Sequence, residues 1–237
     1  VGGFLVNVFV RSDDQTAVVE AAKQVLGPSY ARGRGFSVSS GPAFFVSPAV
    51  DGWVGLHDAR MQNQDESLCE AVAAKLSAML KSTAITFLVH DGDFLCYWLA
   101  HQGAIVDTYN SMPDYFGGDG DFEISDDEDS VETDEDDAMP GEAVEAQGPE
   151  GGNAQILTEL CGRPEQADAV AEILGKPDHD GYALLASLGK ALGIPDPTVD
   201  YDLLTYVPHR LPSGEIIGFQ PKIAHRDRYT AVTQEDW

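Results

Sequence analysis

The chain has 237 residues, 43% of them hydrophobic, which is enough for one large domain or two small ones with a real core. Its formal charge of −26, from 40 acidic against 14 basic residues, disfavours nucleic acid or an anionic membrane surface as a direct partner, because both need clustered Lys and Arg. The three cysteines, Cys69, Cys96 and Cys161, are far apart. They form neither a disulfide framework nor a zinc site of paired spacing, and fit buried free thiols in a reducing compartment.

In chain order, Phe4 to Val10 predicts a strand with Phe4, Val6, Val8 and Val10 on one side and Leu5, Asn7 and Phe9 on the other. Ser12 or Asp13 can cap a helix carrying Val18, Val19, Ala22, Val25 and Leu26, which Gly27-Pro28 should stop. Phe36 to Ser40 and Ala43 to Val46 read as weak strands, and Trp53 to His57 as another. A second helix follows Asn63, with Asp65 and Glu66 at its positive end and Leu68, Cys69, Val72, Leu76, Met79 and Leu80 as its apolar stripe.

The most hydrophobic stretch, Thr83 to Phe116, predicts three strands and the centre of a sheet. They are Ala84 to Val89, Phe94 to Ala100 and Ile105 to Tyr109, joined by turns at Asp91-Gly92-Asp93 and Gln102-Gly103. The order is that of an α+β protein. A ferredoxin-like βαββαβ sheet is extended by antiparallel strands, giving a sheet domain over 1–116.

Residues 117–153 break this pattern. Twelve acids and no base lie between Asp119 and Asp137, and the stretch that follows is rich in Gly, Ala, Glu and Pro. Such composition cannot bury enough surface to offset its ordering entropy, so an acidic disordered linker is expected. Residues 154–237 form the last unit. Short helices carry Ile156, Leu157, Leu160 and Cys161, then Ala167, Val170, Ala171 and Leu174, then Leu184, Leu185, Leu188 and Leu192. Tyr201 to Val207 is ambiguous, and a hairpin around 211–219 and a polar tail end the chain. The short helices make a marginal core alone and should pack on the sheet or on each other.

Familiar chemistries find little support. His57-Asp58 and His90-Asp91 are the metal-site alternative, with His101 as a further ligand, but both pairs stand beside turns, where Asp normally caps backbone N–H groups. Cys96 lies mid-strand and reads as core rather than as a nucleophile paired with His57 or His101. No dinucleotide, P-loop or nucleophile-elbow pattern occurs, and the acids lack calcium-loop spacing. No catalytic residue and no cofactor is assigned.

Two features stand above background. One is the polar-aromatic exit from the third strand, with Asp107, Tyr109, Asn110, Asp114, Tyr115 and Phe116 as partner-binding candidates, although Tyr115 and Phe116 could instead cover the sheet edge. The other is the acidic tract, in which Asp126, Asp127, Glu128, Asp129, Asp134, Glu135, Asp136 and Asp137 would attract a basic partner. Arg210, Lys222, Arg226 and Arg228 of the tail are an internal alternative. The expected function is a non-catalytic protein–protein interaction or regulatory module. The alternative is a small-ligand- or metal-binding enzyme using the histidine-bearing face.

The set Gly52-Trp53-Val54, Leu56 and Asp58, Val89 to Leu95, Tyr97, Leu99, Gly103, Val106-Asp107, Tyr109-Asn110-Ser111 and Pro113 to Phe116 resembles a group of uncharacterised bacterial proteins. The resemblance covers about residues 4–116 and more loosely reaches 206, leaving out the acidic insert. It implies a shared domain organisation and a bacterial, cytosolic setting, and no particular reaction.

Overall fold

The computed structural model describes residues 3–31, 42–115, 148–176, 180–206, 209–210, 216–217, 222–233 and 236. The chain opens with β1 (Leu5–Arg11), α1 (Gln15–Ala31), β2 (Phe44–Val46), β3 (Trp53–Asp58) and α2 (Glu66–Leu80). The hydrophobic stretch then supplies β4 (Thr83–His90), β5 (Phe94–His101) and β6 (Ala104–Asn110). After the acidic segment come β7 (Glu150–Gly151), α3 (Ala154–Leu160), α4 (Ala167–Leu174), α5 (Gly181–Leu192) and α6 (Tyr201–Thr205). A small pair, β8 (His209–Arg210) and β9 (Ile216–Ile217), precedes β10 (Thr230–Val232).

Among the described residues, eight strands form one antiparallel sheet in the order β10-β2-β3-β1-β4-β5-β6-β7. Strand alternation sends successive side chains to opposite faces, and here both faces are covered. On the first face, Val6, Val8, Val10, Leu56, Leu88 and Trp98 pack with Val18, Ala22 and Leu26 of α1 and Cys69, Val72 and Leu76 of α2. On the second, Leu5, Phe9, Ile85, Phe87, Leu95, Tyr97 and Leu99 pack with Leu157 of α3, Val170 and Leu174 of α4, and Leu184, Leu185, Leu188 and Leu192 of α5. The short helices after Ala154 therefore complete the core of the same sheet. Each fully buried side chain of this kind contributes about 1.5–3 kcal/mol.

Local chemistry fixes where the elements begin and turn. Asp65 caps α2 by accepting from Leu68 N–H, Asp180 caps α5 through Ala183 N–H, and Asn153 caps α3 through Gln155 and Ile156. The β5–β6 hairpin turns on Gln102 (φ 49°) and Gly103 (φ 97°), and β4–β5 on Asp91 (φ 52°) and Gly92 (φ 80°). Arg11 binds the second layer to the sheet. Its guanidinium donates to the Cys161 carbonyl at the end of α3 and lies over the Trp53 ring at 5.6 Å.

Several elements differ from the pattern reading. α1 runs through Gly27-Pro28 to Ala31, so the packing of its apolar face outweighs the local stop signal. The segment read as linker up to Asn153 instead carries β7, whose Gly151 and Glu150 pair with Tyr109 and Asn110, and whose Asn153 is a helix cap. The polar tail contains β10, which pairs with β2 and forms the far edge of the sheet. Residues 201–205 are helical. The expected strand over Phe36 to Ser40, the tract from Asp119 to Asp137 and the turn at 211–214 lie outside the described residues.

α5 starts against the β4–β5 turn, with Gly181 N–H donating to the Gly92 carbonyl at 2.8 Å. A Cβ on Gly181 would meet the Phe94 carbonyl oxygen at 2.7 Å and its carbon at 2.9 Å. Gly181→Ala, a change that favours an isolated helix, is therefore expected to destabilise this protein by about 1–3 kcal/mol. Urea denaturation of the two chains checks it, and unchanged or greater stability would show that α5 docks less closely.

Candidate functional site

The histidines are separated. His57, on β3, points to the second face while the adjacent Asp58 points to the first, so alternation alone splits this pair. Asp58 accepts from the N–H groups of Arg60 and Met61 and pairs with the Arg60 guanidinium at 3.3 Å, which is the turn-capping role. His90 ends β4, where its Nδ1 meets Gln64 Oε1 and its ring packs against Phe4, Phe94 and Tyr115. Asp91 occupies the left-handed turn position beyond it. His101 stands at the opposite end of the β4–β5 hairpin, with its Nδ1 3.1 Å from Thr83 Oγ1. Among the described residues no three His, Cys, Asp or Glu side chains come together as a metal-binding group.

His57 is the most unusual of the three. It is buried, its Nδ1 lies 2.8 Å from Asn7 Oδ1, and the Asn7 amide donates to the carbonyls of Pro197 and Val199. Asn7 thus relays hydrogen bonds from β3 to the chain between α5 and α6. Nδ1 is the donor to Oδ1, which leaves Nε2 as a bare acceptor, and among the described residues it has no partner. Burial pushes the ring's pKa down from 6.5 to about 3, opposed by the Val199 carbonyl.

The cysteines are all buried and free, and burial pushes each thiol up to about 12. Such thiols are protonated and poor nucleophiles.

The polar-aromatic exit from β6 is turned largely inward. Tyr109 is 3% exposed, stacks on Tyr97 at a centroid distance of 5.5 Å, and donates to the Leu174 carbonyl at 3.0 Å. Asp107 Oδ2 accepts from Tyr97 Oη at 2.6 Å and from Asn153 N–H at 2.9 Å. Burial, then Asp107, raises the Tyr97 pKa, keeping it a neutral donor. Asn110 Oδ1 accepts from Met112 N–H, and Asp114 is exposed. Tyr115 folds over Phe94 and His90, at 4.6 and 5.6 Å, capping that end of the hairpin. Phe116 and the acids Asp126, Asp127, Glu128, Asp129, Asp134, Glu135, Asp136 and Asp137 lie outside the described residues.

The open features of the molecule gather at the β6–β7 edge. β7 pairs only with Tyr109 and Asn110, so Ala104 to Asp107 have no outer strand among the described residues. Ala104, Val106 and Thr108 are exposed, Val106 by 38%. A cavity of about 700 Å³ flanks this edge on the second face, between Asp107, Gly152, Asn153 and the end of α4 at Ala171, Leu174 and Gly175. A smaller one, about 320 Å³, reaches Glu66, Cys96, Trp98, Thr108, Asn110 and Glu150. Among the described residues no Lys, Arg or His lines either cavity.

The sequence named Asp107, Tyr109 and Asn110 at this edge but not Gly152, Asn153, Ala171 or Gly175 of the larger cavity's walls. The available signal was Gly151-Gly152 before the Asn153 cap. A Cβ on Gly151 would meet the Thr108 carbonyl oxygen at 2.2 Å, a close approach that only glycine allows. No family model, curated protein or solved structure matches the chain.

The buried neutral His57 sets a pH dependence. Its folded pKa lies below the unfolded value, so its contribution to stability is complete above about pH 6.5 and declines as the pH falls toward 3. The contribution is on the order of a few kcal/mol. The urea midpoint should fall between pH 6.5 and 4.5 in the natural chain and be flatter in His57→Gln. Equal slopes would mean that His57 protonates freely in the fold.

Proposed function

We propose that this chain is a non-catalytic protein-interaction module whose working surface is the β6–β7 edge. The observation that carries the reading is that, among the described residues, Ala104 to Asp107 of β6 have no outer strand and are flanked by two cavities, one reaching Asp107 and the other Glu66 and Glu150, with no base in either lining. Sheet edges offer unpaired backbone groups, and proteins with no use for them normally cover or blunt them. The acidic segment leaves the sheet after Tyr115 and returns at β7, so it is tethered to this edge and would raise the local concentration of a basic partner. The charge balance argues against direct nucleic-acid binding.

We further infer that β1-α1-β2-β3-α2-β4 is a ferredoxin-like unit extended by β5 and β6. The antiparallel order β2-β3-β1-β4, with α1 and α2 on one face, supports it. No described helix is long and apolar enough to cross a membrane. A bacterial cytosolic setting rests on the three free cysteines and on the resemblance.

The enzyme alternative has one observation in its favour, the unpartnered Nε2 of His57. Against it, neither cavity described above is lined by a histidine.

The test is affinity capture from bacterial cytosol with the intact chain and one lacking 119–147, each at low and high salt. A partner held by the intact chain and weakened by salt is expected, and capture of nothing by either chain would overturn the reading. Loss on deletion would assign binding to the acids, and retention would assign it to the edge. The shortened chain is expected to melt within about 3 °C of the intact one, the shift that a loss of about 1 kcal/mol produces in a chain of this size. A larger drop by calorimetry would make the tract part of the fold.

A further inference from the structure

We propose that Ala104 to Asp107 of β6, which have no outer strand among the described residues, receive an extended segment of another protein as an added strand, and that this segment places a Lys or Arg side chain in the cavity beside Asp107. The inference rests on the interaction-module reading and specifies its partner. Two independent features lead to it.

The first is the backbone. β6 is paired with β5 on either side of Val106, while β7 covers only its last two residues, after which Gly152 N–H reaches the Thr108 carbonyl and the chain turns into α3. An incoming strand would continue the line of β7 where the chain itself leaves it. Main-chain hydrogen bonds would supply affinity without regard to sequence, and flanking pockets would supply selectivity. A β-bulge lies within this stretch, since Leu99 pairs with Asp107 and Ala100 with Ile105, which makes Val106 the extra residue on β6. Such bulges increase local twist, so the site favours a short segment over a long flat one and resists sheet-on-sheet aggregation.

The second is the chemistry of the cavity. Asp107 presents a carboxylate with Oδ2 fixed by Tyr97 and Asn153, so the group is oriented before any ligand arrives. α4 ends on the same cavity at Leu174 and Gly175, bringing the negative end of its dipole. The neighbouring cation, Lys176, is paired with Glu172 at 2.9 Å and does not line the cavity. Glu150, exposed on β7, lines the smaller cavity and not this one. Arg226 donates to the Leu204 and Tyr206 carbonyls, and β10 lies at the opposite edge of the sheet.

The experiment uses the full chain and fluorescence anisotropy with four probes. These are a six-residue amidated peptide of threonine and valine around one lysine, the same peptide with glutamine for lysine, the same with proline for two valines, and free spermidine as competitor. Two variants accompany it. Val106→Lys blunts the edge, and Ala171→Phe, at an exposed position of α4, fills the cavity. The lysine peptide should bind at least tenfold tighter than the glutamine and proline versions and lose at least tenfold with either variant. It should also protect the amides of residues 104–107 from hydrogen exchange. Equal binding of the proline peptide, unchanged binding by both variants, or displacement by spermidine at matching concentration would overturn the inference. If no peptide binds but the intact chain still captures a cytosolic partner, the added-strand proposal fails and the interaction-module reading stands. If neither occurs, both fail.

Discussion

Burial of the sheet on both faces is the constraint from which the rest of this structure follows. Once α1 and α2 cover one side and α3, α4 and α5 the other, the inner strands can no longer alternate apolar and polar residues. β4 and β5 are buried from end to end except for the terminal His90 and His101. β6 lies where that cover thins, and its exposure alternates. Among the described residues the outer side of β6 is paired only by the two residues of β7, and α3 and α4 seal Tyr109 while Val106 is 38% exposed.

A sheet covered on both faces tolerates few polar side chains, and those present join separate layers. Asn7 and His57 share the second face with Phe9, and Asn7 carries the connection to 197–199. Arg11 holds the end of α3, Asp58 and Arg60 close the turn after β3, and Thr86 donates to the Cys69 carbonyl of α2 at 3.1 Å. Each satisfies backbone groups that burial would otherwise strand at a cost of about 1–3 kcal/mol. These residues are polar for the sake of assembly, which explains why a histidine beside an aspartate on β3 does not form a site. Its neighbours on the chain are on opposite sides of the sheet.

Where local chemistry and tertiary demand agree, the fold is legible in the sequence. The β4-β5-β6 meander and the acidic start of α2 read correctly because a turn residue or an acid at the helix start coincides with a change of hydrophobic period. The edges were hidden because β7 and β10 have two and three residues and are made by pairing rather than by any pattern of their own. α1 passes its Gly-Pro because its apolar face is already committed to the core. The candidate site was half legible. Asp107 stood out as an acid in a strand, whereas Gly152 and Ala171 contribute space, and space has no residue signature.

The distribution of charge then gives the open edge its meaning. A chain this acidic repels copies of itself, so an unpaired strand with Val106 exposed is less of an aggregation hazard here than on a neutral protein. On the proposed reading, the same repulsion would select against acidic partners and leave cationic ones favoured at long range, with Asp107 and the end of α4 acting only at contact. In the interaction proposed above, long-range attraction and short-range fit would be carried by different parts of the chain. They respond differently to salt, because distant exposed charges are screened over about 10 Å at 0.1 M while a partly enclosed carboxylate is screened far less. A partner whose approach weakens with salt while its bound register does not change is the behaviour that this division of labour requires.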